Sequence, residues 1–267
     1  MAVEALFGCG HERNSLRMLH APRQRFWRWL LVLVACGCTY PPPPGVIRFD
    51  PRNPPRSVKG PIELNFGSYD AYWEALVAAC PVVISMPGGN AGRKDSMGFP
   101  ERWRVSREYC SWLYYTPDQK YEMSMLVEGP PQPPDEQGVR RCKLPVFVED
   151  ERYSKGSLKY VYIIHNHPEF PTAISEFDFG MLALARKIHG ESVETREGRI
   201  PIGIVAYFAK SYDPAPTRCE GFLEYKFGSN EVLKWTPNDQ GQWHSEVAGT
   251  VTWTSETEAH FSPMKIE

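Results

Sequence analysis

Two histidines and an aspartate are the residues of this chain best suited to chemistry. His165 and His167 alternate in the stretch His165-Asn166-His167-Pro168, Asp178 follows eleven residues after His167, and Ser175 stands three residues before Asp178. Two imidazoles and one carboxylate form a ligand set that a catalytic zinc takes, with the fourth position left for water or substrate. Zinc bound in this way brings the pKa of its water to about 7 and polarises a carbonyl oxygen. Taken singly, the parts have plainer readings. Ser175-Glu176-Phe177-Asp178 fits a helix capping box, and an isolated histidine, as at His11, His20, His189, His244 or His260, reads as structural. The spaced set reads as a hydrolytic metal centre with His165, His167 and Asp178 as ligands and Zn2+ as cofactor.

These residues need a strand and a helix to position them. Leu158 to Ile164 is an apolar run that leads straight into His165, so both imidazoles fall at a strand end. Period-two geometry points them to one side and Asn166 to the other. Pro168 starts a loop, and Ser175 opens a helix through Ile188 that Gly190 stops. Upstream, Ser68 is a candidate N-cap for a helix from Tyr69 to Ala79, which Pro81 ends before a short strand at Val82-Val83-Ile84. Strands are expected at Tyr109 to Tyr115, Tyr121 to Val127, Leu144 to Val148, Ile202 to Ala209 and Phe222 to Phe227. Gly88 to Pro100 reads as a Gly-rich loop, and Val232 to Trp235 with Trp243 to Val247 as a terminal hairpin. The pattern predicts an α/β sandwich, a mixed sheet flanked by helices, with a C-terminal β extension.

Composition narrows the function classes. A chain of 267 residues with 42% hydrophobic and 13% aromatic residues can bury a full core. A net charge of −2 gives no basic stripe for nucleic acid, so no such partner is expected. The N-terminus reads as an export signal. Arg23, Arg25 and Arg28 precede the apolar run Trp29 to Ala35, too short to span a bilayer core of about 30 Å. Leu33-Val34-Ala35-Cys36 resembles a bacterial lipobox, which makes Cys36 the expected lipidation site and the membrane a partner through that anchor. Residues before Met18 do not resemble a signal, so Met18 is an alternative start to Met1. The organisation read from this is a signal peptide over residues 1–35, a Pro-rich tether over 36–61, the catalytic domain over 62–227 and the extension over 228–267. Removing residues 1–35 deletes five Arg and two Glu and leaves 25 basic and 30 acidic residues, net −5. Cys38, Cys80, Cys110, Cys142 and Cys219 then remain, with disulfides possible and no connectivity dictated by spacing.

The metal motif resembles that of the JAMM metalloprotease family, whose pattern is H-[S/T]-H, seven residues, then S-x-x-D. Here Pro168 to Ile174 supply the seven residues. Asn166 departs from the commonest Ser or Thr, although the bacterial RadC-type branch has H-N-H-P. The resemblance covers about Ile62 to Phe227 and implies a cytidine-deaminase-like (MPN) sandwich. It also implies a general acid/base from an upstream glutamate. Glu108, in Arg107-Glu108-Tyr109-Cys110-Ser111-Trp112-Leu113, is similar to the family's E-x-x-G-x-L segment, with Ser111 where Gly is usual. Glu122, Glu128 and Glu149 are its rivals. In this resemblance His165, His167 and Asp178 hold zinc, Glu108 moves the proton, and Ser175 donates to the oxyanion.

The expected activity is hydrolysis of a peptide or isopeptide amide bond in a peptide or protein substrate, by an enzyme lipid-anchored in the bacterial envelope, at the outer membrane. The alternative is a lipid-anchored binding or scaffold protein that keeps the fold without catalysis. Trp235, Trp243 and Trp253 in the tail could recognise a partner or glycan, against the plainer reading that they are core.

Overall fold

The computed structural model describes residues 41–50, 52–64, 66–130, 140–212 and 218–264. The residues from 42 onward form one compact unit. In chain order its elements are β1 (Val46–Ile47), β2 (Ser57–Lys59), α1 (Tyr72–Ile84), β3 (Gly92–Arg93), α2 (Phe99–Val105), β4 (Tyr109–Tyr115), β5 (Tyr121–Met123), β6 (Leu126–Glu128), β7 (Phe147–Glu149), β8 (Lys159–Asn166), β9 (Glu169–Phe170), α3 (Glu176–His189), β10 (Ser192–Thr195), β11 (Gly198–Pro201), β12 (Gly203–Phe208), β13 (Gly221–Lys226), β14 (Glu231–Pro237), β15 (Trp243–Trp253) and β16 (Ala259–Pro263). This is an α/β chain whose ten-stranded mixed sheet runs β1-β6-β4-β8-β12-β13-β14-β15-β16, with β5 added on β4.

β8 lies at the centre, antiparallel to β4 and parallel to β12. A parallel neighbour needs a crossover, and α3 provides it. Every residue of β8 except Lys159 is buried, because helices cover both faces of the sheet. On one face, Leu76 and Val83 of α1 pack with Tyr162, Ile164, Val205 and Tyr207. On the other, Phe179 and Leu182 of α3 pack with Cys110, Ile163, Ile204 and Ala206.

Several expectations need correction. Pro81 does not end the first helix: α1 starts at Tyr72, with Ala71 rather than Ser68 as N-cap, and continues through Pro81 to Ile84. The Val82-Val83-Ile84 run is therefore helical, and burial of Val83 and Ile84 against the sheet outweighs their β preference. Ser68 instead donates to Glu122 at 2.5 Å. The run from Tyr121 to Val127 divides into β5 and β6, because Ser124 turns its hydroxyl to the Trp112 N–H at 3.1 Å. The Pro-rich segment before Pro61 is part of the fold: β1 pairs in parallel with β6, β2 pairs with β7, and Val46 and Val58 are buried. α2 and the β10–β11 hairpin were not expected at all. The expected tail hairpin is present as β14 and β15; β16 adds a third strand to it, and β14 pairs with β13 so that the sheet is continuous. Met1, Met18, Cys36 and Cys38 lie outside the described residues, among which no helix is long and apolar enough to cross a membrane.

Candidate metal centre

The site is set by strand register. Cys110 of β4 lies opposite His165 of β8. Glu108 and His167 lie just beyond the ends of β4 and β8, each two residues from this pair, and by alternation fall on the α3 face, where Glu108 feels the Asp178 charge. The α3 N-terminus then delivers Asp178 to this face. Ser175 is the N-cap in extended conformation, and the capping box expected from sequence is present. The Ser175 N–H and Oγ both donate to Asp178 Oδ2, at 2.7 and 2.8 Å, while the Asp178 N–H donates back to Ser175 Oγ at 3.3 Å. The helix cap thus orients the third member of the set.

The three expected ligands converge. His165 Nε2 and His167 Nε2 are 2.9 Å apart, His165 Nε2 lies 3.2 Å from Asp178 Oδ1, and His167 Nε2 lies 3.4 Å from Asp178 Oδ2. Ligands held about 2.0–2.1 Å from a tetrahedral zinc stand about 3.3 Å from one another. The histidine pair is closer than this and the two carboxylate distances run to different oxygens of Asp178, but one donor atom from each of the three residues lies within 4.8 Å of the others, close enough to gather round one ion. His165 and Asp178 are buried and His167 partly so, which leaves access from the His167 side. The Nδ1 of His165 has no hydrogen-bond partner among the described residues. The donor set and its geometry fit a divalent metal. The two imidazoles, His165 foremost, hold the Asp178 carboxyl well below its usual range although burial alone would raise it.

Glu108 joins them on the same face at 3% exposure. Burial first, then the Asp178 charge, push its carboxyl well above the ordinary range, opposed by the Cys142 backbone N–H and the Arg141 cation. The rival glutamates are committed elsewhere. Glu122 pairs with Arg152, Glu128 bridges Arg48 at 2.7 Å and Arg107 at 3.3 Å, and Glu149 is exposed in β7.

Sequence reasoning missed four supporting residues. Asn166 turns away from the histidines, as expected, and is wholly buried. Its Oδ1 accepts the Tyr109 N–H at 2.6 Å, and its Nδ2 donates to Arg107 O at 3.0 Å and Gly89 O at 2.6 Å. Arg107 and Tyr109 flank Glu108, so one amide clamps the backbone on both sides of that carboxylate. Thr172 Oγ1 meets His167 Nδ1 and fixes which nitrogen faces the aspartate. Cys142 is disulfide-bonded to Cys110, beside His165, which holds its N–H at Glu108. Gly129 accommodates the crossing of these segments, since a Cβ there would lie 2.6 Å from Arg141 O and 3.0 Å from Glu108 O. A second disulfide joins Cys80 of α1 to Cys219.

The tail tryptophans are packed. Trp235 stacks on Phe222, Trp243 tilts against the same ring, and Trp253 meets Phe179 and Phe227 edge-on. No family model, curated protein or solved structure matches this chain.

Proposed function

We propose that this chain is a JAMM-type zinc hydrolase that cleaves a peptide or isopeptide amide bond. The observation that carries the reading is the convergence of His165, His167 and Asp178, with separations of 2.9–3.4 Å, beside the buried carboxyl of Glu108 on one face of the sheet. A zinc ion on those three ligands would supply a Lewis acid and a water acidic enough to attack at neutral pH. Glu108 takes the proton from the attacking water at its carboxylate and delivers it to the leaving nitrogen. Burial and the Asp178 charge raise its affinity for protons, the direction a proton acceptor needs. Asn166 and Cys142 hold Glu108 in place while Thr172 holds His167.

Two disulfides, Cys80–Cys219 and Cys110–Cys142, favour an oxidising compartment. They support export, with Cys36 as the lipid-anchored end in the bacterial envelope. The MPN-type sandwich is part of the same proposal, since a central β8 with helices on both faces suits it.

One observation favours the second reading, a binding protein without turnover: the Ser175 hydroxyl is committed to Asp178 rather than directed at a substrate oxygen. Zinc content and amide hydrolysis of two variants separate the readings. Asp178→Ala is expected to lose both metal and activity, and Glu108→Gln to keep near-stoichiometric zinc while turnover falls at least a hundredfold. Full activity in Glu108→Gln would remove Glu108 from the mechanism. A wild-type protein that binds zinc and hydrolyses nothing would favour the binding protein.

A further inference from the structure

Arg141 stands at the rim of the proposed active site with its hydrogen-bonding capacity unspent. Its guanidinium lies 5.0 Å from the centre of the Phe177 ring, and Phe177 immediately precedes the ligand Asp178 in the first turn of α3. Arg141 is exposed, Phe177 is half-buried, and the Arg141 charge reaches Glu108. Among the described residues its side chain makes neither an ion pair nor a hydrogen bond; the Phe177 ring is its neighbour.

The backbone that carries this cation is held on both sides. Arg140, on one side, is buried: its guanidinium lies 4.8 Å from the Trp103 ring, donates to Ser106 Oγ at 3.2 Å, and also donates to Trp103 O. On the other, Cys142 is tied to Cys110. A guanidinium on a fixed backbone, leaning on an aromatic face, presents a planar fork of donors that matches a carboxylate. The two nearby carboxylates, Glu108 and Asp178, are buried, and although the Arg141 charge reaches Glu108, neither forms an ion pair or hydrogen bond with Arg141.

We infer that Arg141 is a specificity-determining residue that binds a carboxylate of the substrate close to the amide to be cut. This rests on the hydrolase reading and narrows it to substrates carrying an anionic group beside the scissile bond. The carboxylate could be a chain terminus or an acidic side chain.

The test uses three mixed-sequence hexapeptide pools: one with free C-termini and no Asp or Glu, one amidated with no Asp or Glu, and one amidated with Asp and Glu present. Each is passed over immobilised, zinc-loaded Glu108→Gln protein, with and without Arg141→Gln. Zinc content and thermal midpoint are measured as controls for folding. At least one carboxylate-bearing pool is expected to be retained about tenfold more strongly than the neutral pool, and Arg141→Gln is expected to abolish that preference while leaving zinc and folding unchanged. Preference for the first pool identifies a terminal carboxylate, and for the third an acidic side chain. Equal retention of all pools, retention of none, or a preference that survives Arg141→Gln overturns the inference. Amine release from the same pools by the wild-type protein reads the hydrolase proposal separately. Hydrolysis indifferent to carboxylate and to Arg141 leaves the enzyme standing without this specificity. An Arg141-dependent preference without hydrolysis leaves a carboxylate site on a protein that is not this enzyme.

Discussion

Asn166 is the side chain on which the geometry of Glu108 most depends. Its amide ties β8 to the start of β4 and to a loop, and it is fully buried, so truncation leaves several backbone groups without partners. Asn166→Ala is expected to lower unfolding free energy by about 2–4 kcal/mol, measured by urea denaturation, with a larger proportional loss of turnover than of zinc. Thr172 acts on His167, one of the proposed ligands. Thr172→Val keeps the shape of the side chain and removes the oxygen that meets His167 Nδ1. Zinc affinity, measured by chelator competition, should fall about 10–100-fold while stability in the metal-free state changes little.

At the scale of elements, α3 carries the site at its N-terminus and a pH-sensitive contact at its other end. His189 stacks on Tyr160 at 3.8 Å between ring centres and meets the edges of Trp112 and Phe147, with its Nε2 2.8 Å from Val146 O. Burial pushes its pKa below the ordinary value, against the opposing bond to Val146. Below about pH 6.5 the unfolded chain gains a proton that the folded ring refuses, so stability falls as pH drops through that value and is unaffected above it. Denaturation at pH 7.5 and 5.5 should show this loss in the wild type and a smaller one in His189→Gln. An equal loss in both would assign the effect to other groups.

For the molecule as a whole, the terminal strands belong to the main sheet. Val232, Val251 and Ala259 are buried in the core cluster that contains Phe179, and Trp253 packs on Phe179 itself. A chain ending at Phe227 would lack β14 to β16 and would expose the edge of β13 and the apolar side chains they cover, Phe179, Leu223 and Tyr225. It is expected to be aggregated or unfolded on size exclusion and circular dichroism, whereas an independent extension would leave a folded core behind.

The local pattern was enough to define β4, β8, β12, β13 and α3, because each is a long apolar run with a clear start or stop signal, as at Ser175 and Gly190. It also named His165, His167 and Asp178, whose spacing within fourteen residues encodes the strand–loop–helix unit that gathers them. Tertiary structure decided the rest. Pro81 remains helical because the sheet rewards burial of the residues after it, and β1 and β2 are strands because distant partners complete their hydrogen bonds. The Asn166 clamp spans sequence separations of 57 and 77 residues, and the Cys110–Cys142 pairing spans 32. Contacts of that reach leave no periodic trace in a chain; they exist only once the sheet has brought its strands together.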